Sequence, residues 1–159
     1  MIFPLFVISL AFIADRISKW WATDFLAENG GGPISPLFAI QETYNRGLAF
    51  GLFQGTGQVM GWISLLIIVP MLIYLYRVPR PLWILRLGLA LIVGGALGNM
   101  LDRIVAGQVL DFIVSSIRPG VFNVADVCIN VGMILALIGV LFHRPAALEP
   151  VSSPDSELP

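Results

Sequence analysis

The sequence comprises 159 residues, of which 57% are hydrophobic and only 12% are charged, and its formal net charge is −1. Soluble domains carry about 25% charged residues, so this composition indicates a small membrane protein with several spans. The near-neutral charge provides no basic surface for nucleic acid. Because the chain has one cysteine and one histidine, an internal disulfide is excluded, and so is a zinc site built from His and Cys ligands.

Four apolar segments are each long enough to cross a bilayer, which takes about 20 residues of helix. The first could instead be a cleaved signal peptide, but it has no basic start and no small-x-small cleavage site after its apolar core. We therefore predict a mainly α membrane protein with a single four-helix transmembrane domain over residues 1–144 and a disordered, Pro- and Ser-rich tail over 145–159. The four segments lie at about residues 2–21, 59–76, 82–101 and 122–142.

Two connections, 24–57 and 104–121, lie on the same side of this predicted bundle. Glycines and prolines at 30–36 break any helix in the first connection, and the apolar stretch 37–53 is too short to span. We expect this stretch to form a pair of strands or an interfacial segment on the membrane. The arginine distribution only slightly favours cytoplasmic termini. Several polar residues converge on the face opposite the termini: Asp15, Lys19, Asn45, Asn99, Arg103, Asp111 and Asp126.

The first and third segments each carry charged residues near this face. Asp15 and Lys19 are four residues apart, so they share a helical face and can neutralise each other. Asn99, Asp102 and Arg103 lie at the end of the third segment, after glycines 94, 95 and 98, which let another backbone approach closely. A purely structural interpretation remains open, in which small residues pack and Arg103 reaches up to the interface.

Two acids flank the connection between the third and fourth segments. Asn123, Asp126 and Asn130 form a polar stripe, although Asn123 could simply cap a helix with Asp126 at its third position. Asp111 lies within an apolar run of strand character, where aspartate is disfavoured, although it could be a turn acid. Two close carboxylates cannot both ionise cheaply, so such a pair retains one proton and can act as base and acid together.

Other proteolytic chemistries lack their motifs. The chain contains neither an H-E-x-x-H nor a G-x-S-x-G sequence. A Ser–Lys pair is conceivable through Lys19, but no serine is obviously placed beside it. The residues therefore favour an aspartic protease. A small transporter or proton relay using the same acids is the alternative, and a non-catalytic scaffold is a third.

Five motifs, in order and with family-like spacing, resemble bacterial lipoprotein signal peptidase, also called signal peptidase II. Each motif alone is weak, whereas the ordered set is highly specific and covers residues 15–130. The motifs are Asp15-x-x-x-Lys19, Asn45-x-Gly47-x-Ala49-Phe50, Gly94-Gly95-Ala96-x-Gly98-Asn99-x-x-Asp102-Arg103, Val109-x-Asp111-Phe112-Ile113 and Phe122-Asn123-x-Ala125-Asp126.

The resemblance implies a fold, an activity and partners. The fold is a four-transmembrane-helix bundle with cytoplasmic termini, a small extracytoplasmic β-sheet and an amphipathic segment over the site. The activity is that of a metal-independent aspartyl endopeptidase without cofactors, in the bacterial inner membrane with its active site at the periplasmic face. It cuts the signal peptide from diacylated prolipoproteins just before the lipidated cysteine. The expected partners are these substrates, membrane lipid and the inhibitor globomycin, with the enzyme as a monomer.

The resemblance also implies residue roles. Asp111 and Asp126 are the expected catalytic dyad. The residues expected to order the site or bind substrate are Asn45, Gly47, Asn99, Arg103 and Asn123, and those expected to support the fold are Asp15, Lys19 and Asp102. Arg46 departs from the family, which often has a small or uncharged residue there, and we expect it to contact lipid headgroups or substrate.

Overall fold

The computed structural model describes residues 2–47 and 55–142 and contains four helices and four short strands in that part of the chain. The helices are α1 (Ile2–Asn29), α2 (Gly57–Arg77), α3 (Trp83–Ala106) and α4 (Val124–Leu141). The strands are β1 (Gly32–Pro33), β2 (Phe38–Asn45), β3 (Val109–Ser115) and β4 (Val121–Phe122). The fold is therefore mainly helical with one small sheet, as predicted.

Three of the helices, α2, α3 and α4, are long and apolar enough to cross a membrane. α3 is the central helix, since it packs against α1, α2 and α4, whereas most of the apolar surface of α2 and α4 is left uncovered. α1 has 28 residues but carries Asp15, Arg16 and Lys19 near its middle, and it does not meet the same criterion of composition. The predicted fourth span therefore stays a prediction.

Close backbone packing around α3 follows from its glycines, as predicted. A Cβ atom added to Gly94 would lie 2.7 Å from Cβ of Ala11 in α1, and one added to Gly95 would lie 2.5 Å from the carbonyl oxygen of Ala125 in α4. Both distances are too short for real atoms, so only glycine permits these helices to approach at these points. This approach brings the polar residues of the three helices within reach of one another.

The sheet is antiparallel, with strand order β1-β2-β3-β4. β2 pairs with β3 so that Thr43 lies opposite Asp111, and a bulge shifts the register between Ile40 and Thr43. The strand expected within 37–53 is thus present, but its main partner is β3 rather than a second strand from the same stretch. Residues 48–54, which include the end of the apolar stretch 37–53, and the tail 143–159 lie outside the described residues.

Two helices extend well beyond the predicted apolar segments. α1 continues to Asn29 because Ala22, which is fully buried, packs in a cluster with Ile40, Leu110 and Phe112 of the sheet. α3 continues to Ala106 and ends at Gly107, whose positive φ of 69° gives the left-handed C-cap that favours glycine. The helix ends therefore support the sheet directly above the bundle.

Candidate active site

Asn123 is the fully buried residue from which α4 begins. Its side-chain oxygen accepts a hydrogen bond from the backbone N–H of Asp126 at 3.0 Å, and its own N–H donates to Oδ2 of Asp126 at 3.3 Å. This is the capping box that the spacing suggested. The same amide also donates through Nδ2 to Oδ1 of Asp111 at 2.6 Å and to Oδ1 of Asn99 at 3.2 Å. Asn123 therefore joins both acids as well as capping the helix.

Asp111 lies within β3 with only 5% of its surface exposed, so the interpretation of Asp111 as a turn acid is wrong. A second, longer hydrogen bond reaches its Oδ2 from Nδ2 of Asn45 at 3.4 Å. Burial, followed by the nearby charge of Asp126, raises the pKa of Asp111 from 3.8 to about 6, while the hydrogen bonds from Asn123 and Asn45 oppose this rise. The carboxyl group of Asp111 therefore keeps its proton to a higher pH than an ordinary aspartate.

Asp126 lies in the first turn of α4 and accepts a hydrogen bond from a side-chain amide of α3. Nδ2 of Asn99 donates to Oδ1 of Asp126 at 3.0 Å. Oδ1 of Asn99 in turn accepts from Nζ of Lys19 at 3.0 Å as well as from Asn123. Two asparagines thus connect Asp111 and Asp126, and no cation among the described residues is bonded to either acid.

Asp111 and Asp126 line one cavity of about 500 Å³. Arg103 also lines it, donating to the carbonyl oxygens of Gly47 at 3.2 Å and Asn99 at 3.4 Å. Its buried Nε has no hydrogen-bond partner in the described part of the chain. The cavity therefore contains two acids, a guanidinium held by backbone carbonyls, and polar walls from the predicted residues Asn45, Asn99 and Asn130.

Asp15, Lys19 and Asp102 form an ion-pair network beside this cavity. Nζ of Lys19 lies 2.9 Å from Oδ2 of Asp15 and 2.7 Å from Oδ2 of Asp102. Arg16 joins both acids at 2.6 Å, a role that the sequence interpretation missed although Arg16 directly follows Asp15. Oδ1 of Asp15 also accepts from the backbone N–H of Ala125 at 3.1 Å. The network therefore ties α1 to α3 and to the first turn of α4.

Three further residues lie in or near the site. Ser64 and Arg118 line the cavity, and sequence reasoning assigned neither a role. Arg118 lies in the connection between β3 and β4. Its place along the sequence between Asp111 and Asp126 was the one signal that could have indicated a position near the cavity. Arg46 is exposed, and its Nε donates to Gln108 at 3.0 Å rather than lining the cavity. Within residues 2–47 and 55–142, no three His, Cys, Asp or Glu residues come together as a possible metal site.

Comparison with known proteins identifies relatives over nearly the whole chain. The family model described as signal peptidase (SPase) II matches residues 7–142. The lipoprotein signal peptidase of Gloeobacter violaceus is 37% identical, with 90% of this chain and 86% of that protein aligned. The lipoprotein signal peptidase of Anaplasma marginale (strain Florida) is 32% identical, with 94% and 91% aligned.

A solved structure supports the same assignment at the level of the fold. A bacterial membrane enzyme determined by the in meso method at 2.3 Å resolution has a TM-score of 0.77, 25% identity and 87% of each chain covered. Together with the apolar helices, this likeness indicates a multi-pass membrane protein. On the family match and these relatives, the chain belongs to the signal peptidase II family, the lipoprotein signal peptidases, and is an aspartic peptidase that acts on prolipoproteins.

Proposed function

We propose that Asp111 and Asp126 are the catalytic pair of this peptidase, and that it cleaves diacylglyceryl-modified prolipoproteins just before the lipidated cysteine. The observation that carries the proposal is that both acids line one cavity while Asn123 and Asn99 join them. Convergence of two acids and oriented amides on a cavity is typical of an active site.

The chemistry follows from one proton shared by two carboxyl groups. The ionised member accepts a proton from the attacking water, and the protonated member donates one to the carbonyl oxygen or the leaving amine of the scissile bond. The raised pKa of Asp111, about 6, keeps a proton on the pair to a higher pH than ordinary aspartates would. Because the acids are coupled, the proton belongs to the pair.

The remaining polar residues hold this pair and receive the substrate. Asn123, Asn99 and Asn45 orient the carboxylates through their amides. Arg103 is the group best placed to stabilise negative charge on the scissile carbonyl oxygen, since it lines the cavity and forms no ion pair with any described carboxylate. Gly47 accepts from Arg103 through its carbonyl oxygen and thereby positions it.

Substrate entry from the bilayer is consistent with the walls of the cavity. Ser64, Ala96 and Ile129 contribute from α2, α3 and α4, so the cavity reaches between helices that face lipid. A substrate with two acyl chains and an apolar signal helix would enter sideways at this point. In this proposal α1 also spans the inner membrane, both termini are cytoplasmic and the site faces the periplasm. The enzyme would act as a monomer, and globomycin would occupy the cavity.

The test is cleavage of a diacylated prolipoprotein in detergent by wild type, Asp111→Asn and Asp126→Asn, with the unlipidated precursor alongside. Wild type should cut only the lipidated substrate, in EDTA as without it, and both variants should fall to background. Asp24→Asn is the matched control, since Asp24 is an exposed acid on α1 away from the cavity. Near-normal turnover by either dyad variant, or loss of cleavage in EDTA, would contradict the mechanism.

The proton-relay alternative gains no support from the described residues. A relay needs acids spaced across the bundle, whereas Asp15, Asp102, Asp111 and Asp126 all lie at the end where α3 stops and α4 begins.

A further inference from the structure

Arg118 is a cation at the rim of the cavity that the catalytic proposal does not use. It is exposed, and the carbon of its guanidinium lies 4.5 Å from the centre of the Phe122 ring. The ring of Phe122 is buried beneath it, so stacking fixes where the cation sits. Arg118 makes no hydrogen bond or ion pair with any residue in the described part of the chain. A positioned guanidinium with free donors is suited to bind a carboxylate.

The lining of the cavity includes two groups of residues of different chemistry. Ser64, Ala96 and Ile129 belong to the apolar helices α2, α3 and α4. Arg118, Pro119 and Gly120 are exposed and lie in the connection between β3 and β4. An apolar signal helix matches the first group, so we expect the segment that follows the scissile bond to pass the second.

We propose that Arg118 is a specificity-determining residue that favours an acidic side chain within the first three residues after the lipidated cysteine. The inference rests on the proposed function, because it assumes that the scissile bond lies at Asp111 and Asp126. Arg118 does not touch the reacting atoms, so its removal should change preference among substrates rather than the chemical step.

The experiment compares diacylated substrates that carry Asp or Asn at each of these three positions, which differ only in charge. Wild type should process the best-placed Asp substrate with a kcat/KM about two- to fivefold higher than that of its Asn counterpart. This is the fold-change that corresponds to the interaction energy of an exposed ion pair. This ratio should fall towards one in about 0.5 M salt, because the pair is exposed to solvent. Arg118→Gln should abolish the ratio, while Arg118→Lys should retain part of it. Arg80→Gln is the matched control at the opposite end of the bundle and should leave the ratio unchanged.

The outcomes separate the two proposals. If wild type cleaves neither substrate, or if cleavage survives Asp111→Asn, the proposed function fails. If wild type cleaves all substrates equally well, or if Arg118→Gln keeps the Asp preference, the catalytic assignment stands and the role of Arg118 is wrong. An equal loss of kcat/KM on both substrates in Arg118→Gln would likewise overturn a role in specificity.

Discussion

Replacing Asn45 with alanine tests the electrostatics of the proposed dyad without removing either acid. Nδ2 of Asn45 donates to Oδ2 of Asp111 at 3.4 Å, and its Oδ1 accepts from the backbone N–H of Gly47 at 3.1 Å. Asn45→Ala removes the donor and leaves the shorter bond from Asn123 to Asp111 in place. The perturbation therefore acts on one carboxylate oxygen.

The sign of the effect follows from which form of the acid the amide stabilises. A donated hydrogen bond favours the ionised carboxylate, so the bond from Asn45 lowers a pKa that burial and Asp126 raise to about 6. Without it the pKa of Asp111 should rise further. Hydrogen bonds to charged groups contribute about 1.5 to 3 kcal/mol at good geometry, and this one is long, so we take about 1 kcal/mol. One pKa unit corresponds to about 1.4 kcal/mol, which gives an increase of roughly half a unit to one unit.

The assay is kcat/KM as a function of pH on a diacylated substrate. The alkaline limb of this profile reports loss of the proton that the pair shares in the free enzyme. In Asn45→Ala this limb should move to higher pH by the amount derived above. Asn29→Ala is the matched control, since the amide of Asn29 is exposed at the end of α1 and donates to the carbonyl oxygen of Phe25, away from the cavity. Its profile should coincide with that of wild type.

Two results would refute this reasoning. A shift of the alkaline limb to lower pH would mean that Asn45 stabilises the protonated acid. An unshifted limb with a uniform loss of rate would mean that Asn45 only positions the chain around Gly47.

Three predictions concern stability, measured as the free energy of unfolding in detergent. The pKa of Asp111 is higher in the folded protein than in the unfolded chain, so the free energy of unfolding of wild type should fall by up to about 3 kcal/mol as pH rises from about 4 to about 6. Asp111→Asn should not show this fall. An identical pH dependence in wild type and variant would contradict the raised pKa. In Gly98→Ala the new Cβ would lie 3.0 Å from Cγ of Asp15, so the free energy of unfolding should fall by about 1 to 3 kcal/mol. Gly32→Ala is the control and should cost little, because a Cβ there would meet no atom within 4 Å. Equal costs in the two variants would refute the contact. Lys19→Met removes one of the two cations that Asp15 and Asp102 share and leaves Arg16 in place, so it should cost about 1.5 to 3 kcal/mol. A cost below about 1 kcal/mol would show that the network is solvated.

Local sequence patterns were sufficient for much of the site. The strand character around Asp111 is confirmed, since the apolar run that contains it lies within β3. The spacing of Asn123 and Asp126 predicted the cap of α4, and that of Asp15 and Lys19 predicted their ion pair. Each of these contacts lies within one element, where the period of the backbone determines which residues meet.

Contacts between distant elements could not be derived in this way. The bond from Asn123 to Asp111 depends on the pairing of β3 with β4, in which Phe122 lies opposite Ile113. The bond from Asn123 to Asn99 depends on the packing of α3 against α4. The continuation of α1 to Asn29 depends on burial of Ala22 against the sheet. No periodicity within a segment encodes such packing, because it arises only when separate segments meet.

The hydrogen bonds of the site show how an acid pair can be ordered and still exchange a proton. A cation bonded directly to a carboxylate strongly stabilises its ionised form and would oppose protonation. Here Nζ of Lys19 donates instead to Oδ1 of Asn99, which turns Nδ2 of that amide towards Asp126. The charge thus orients the amide, and the neutral amide orients the acid. Because Lys19 acts through Asn99, it can hold Asp126 in place without bonding to either member of the pair.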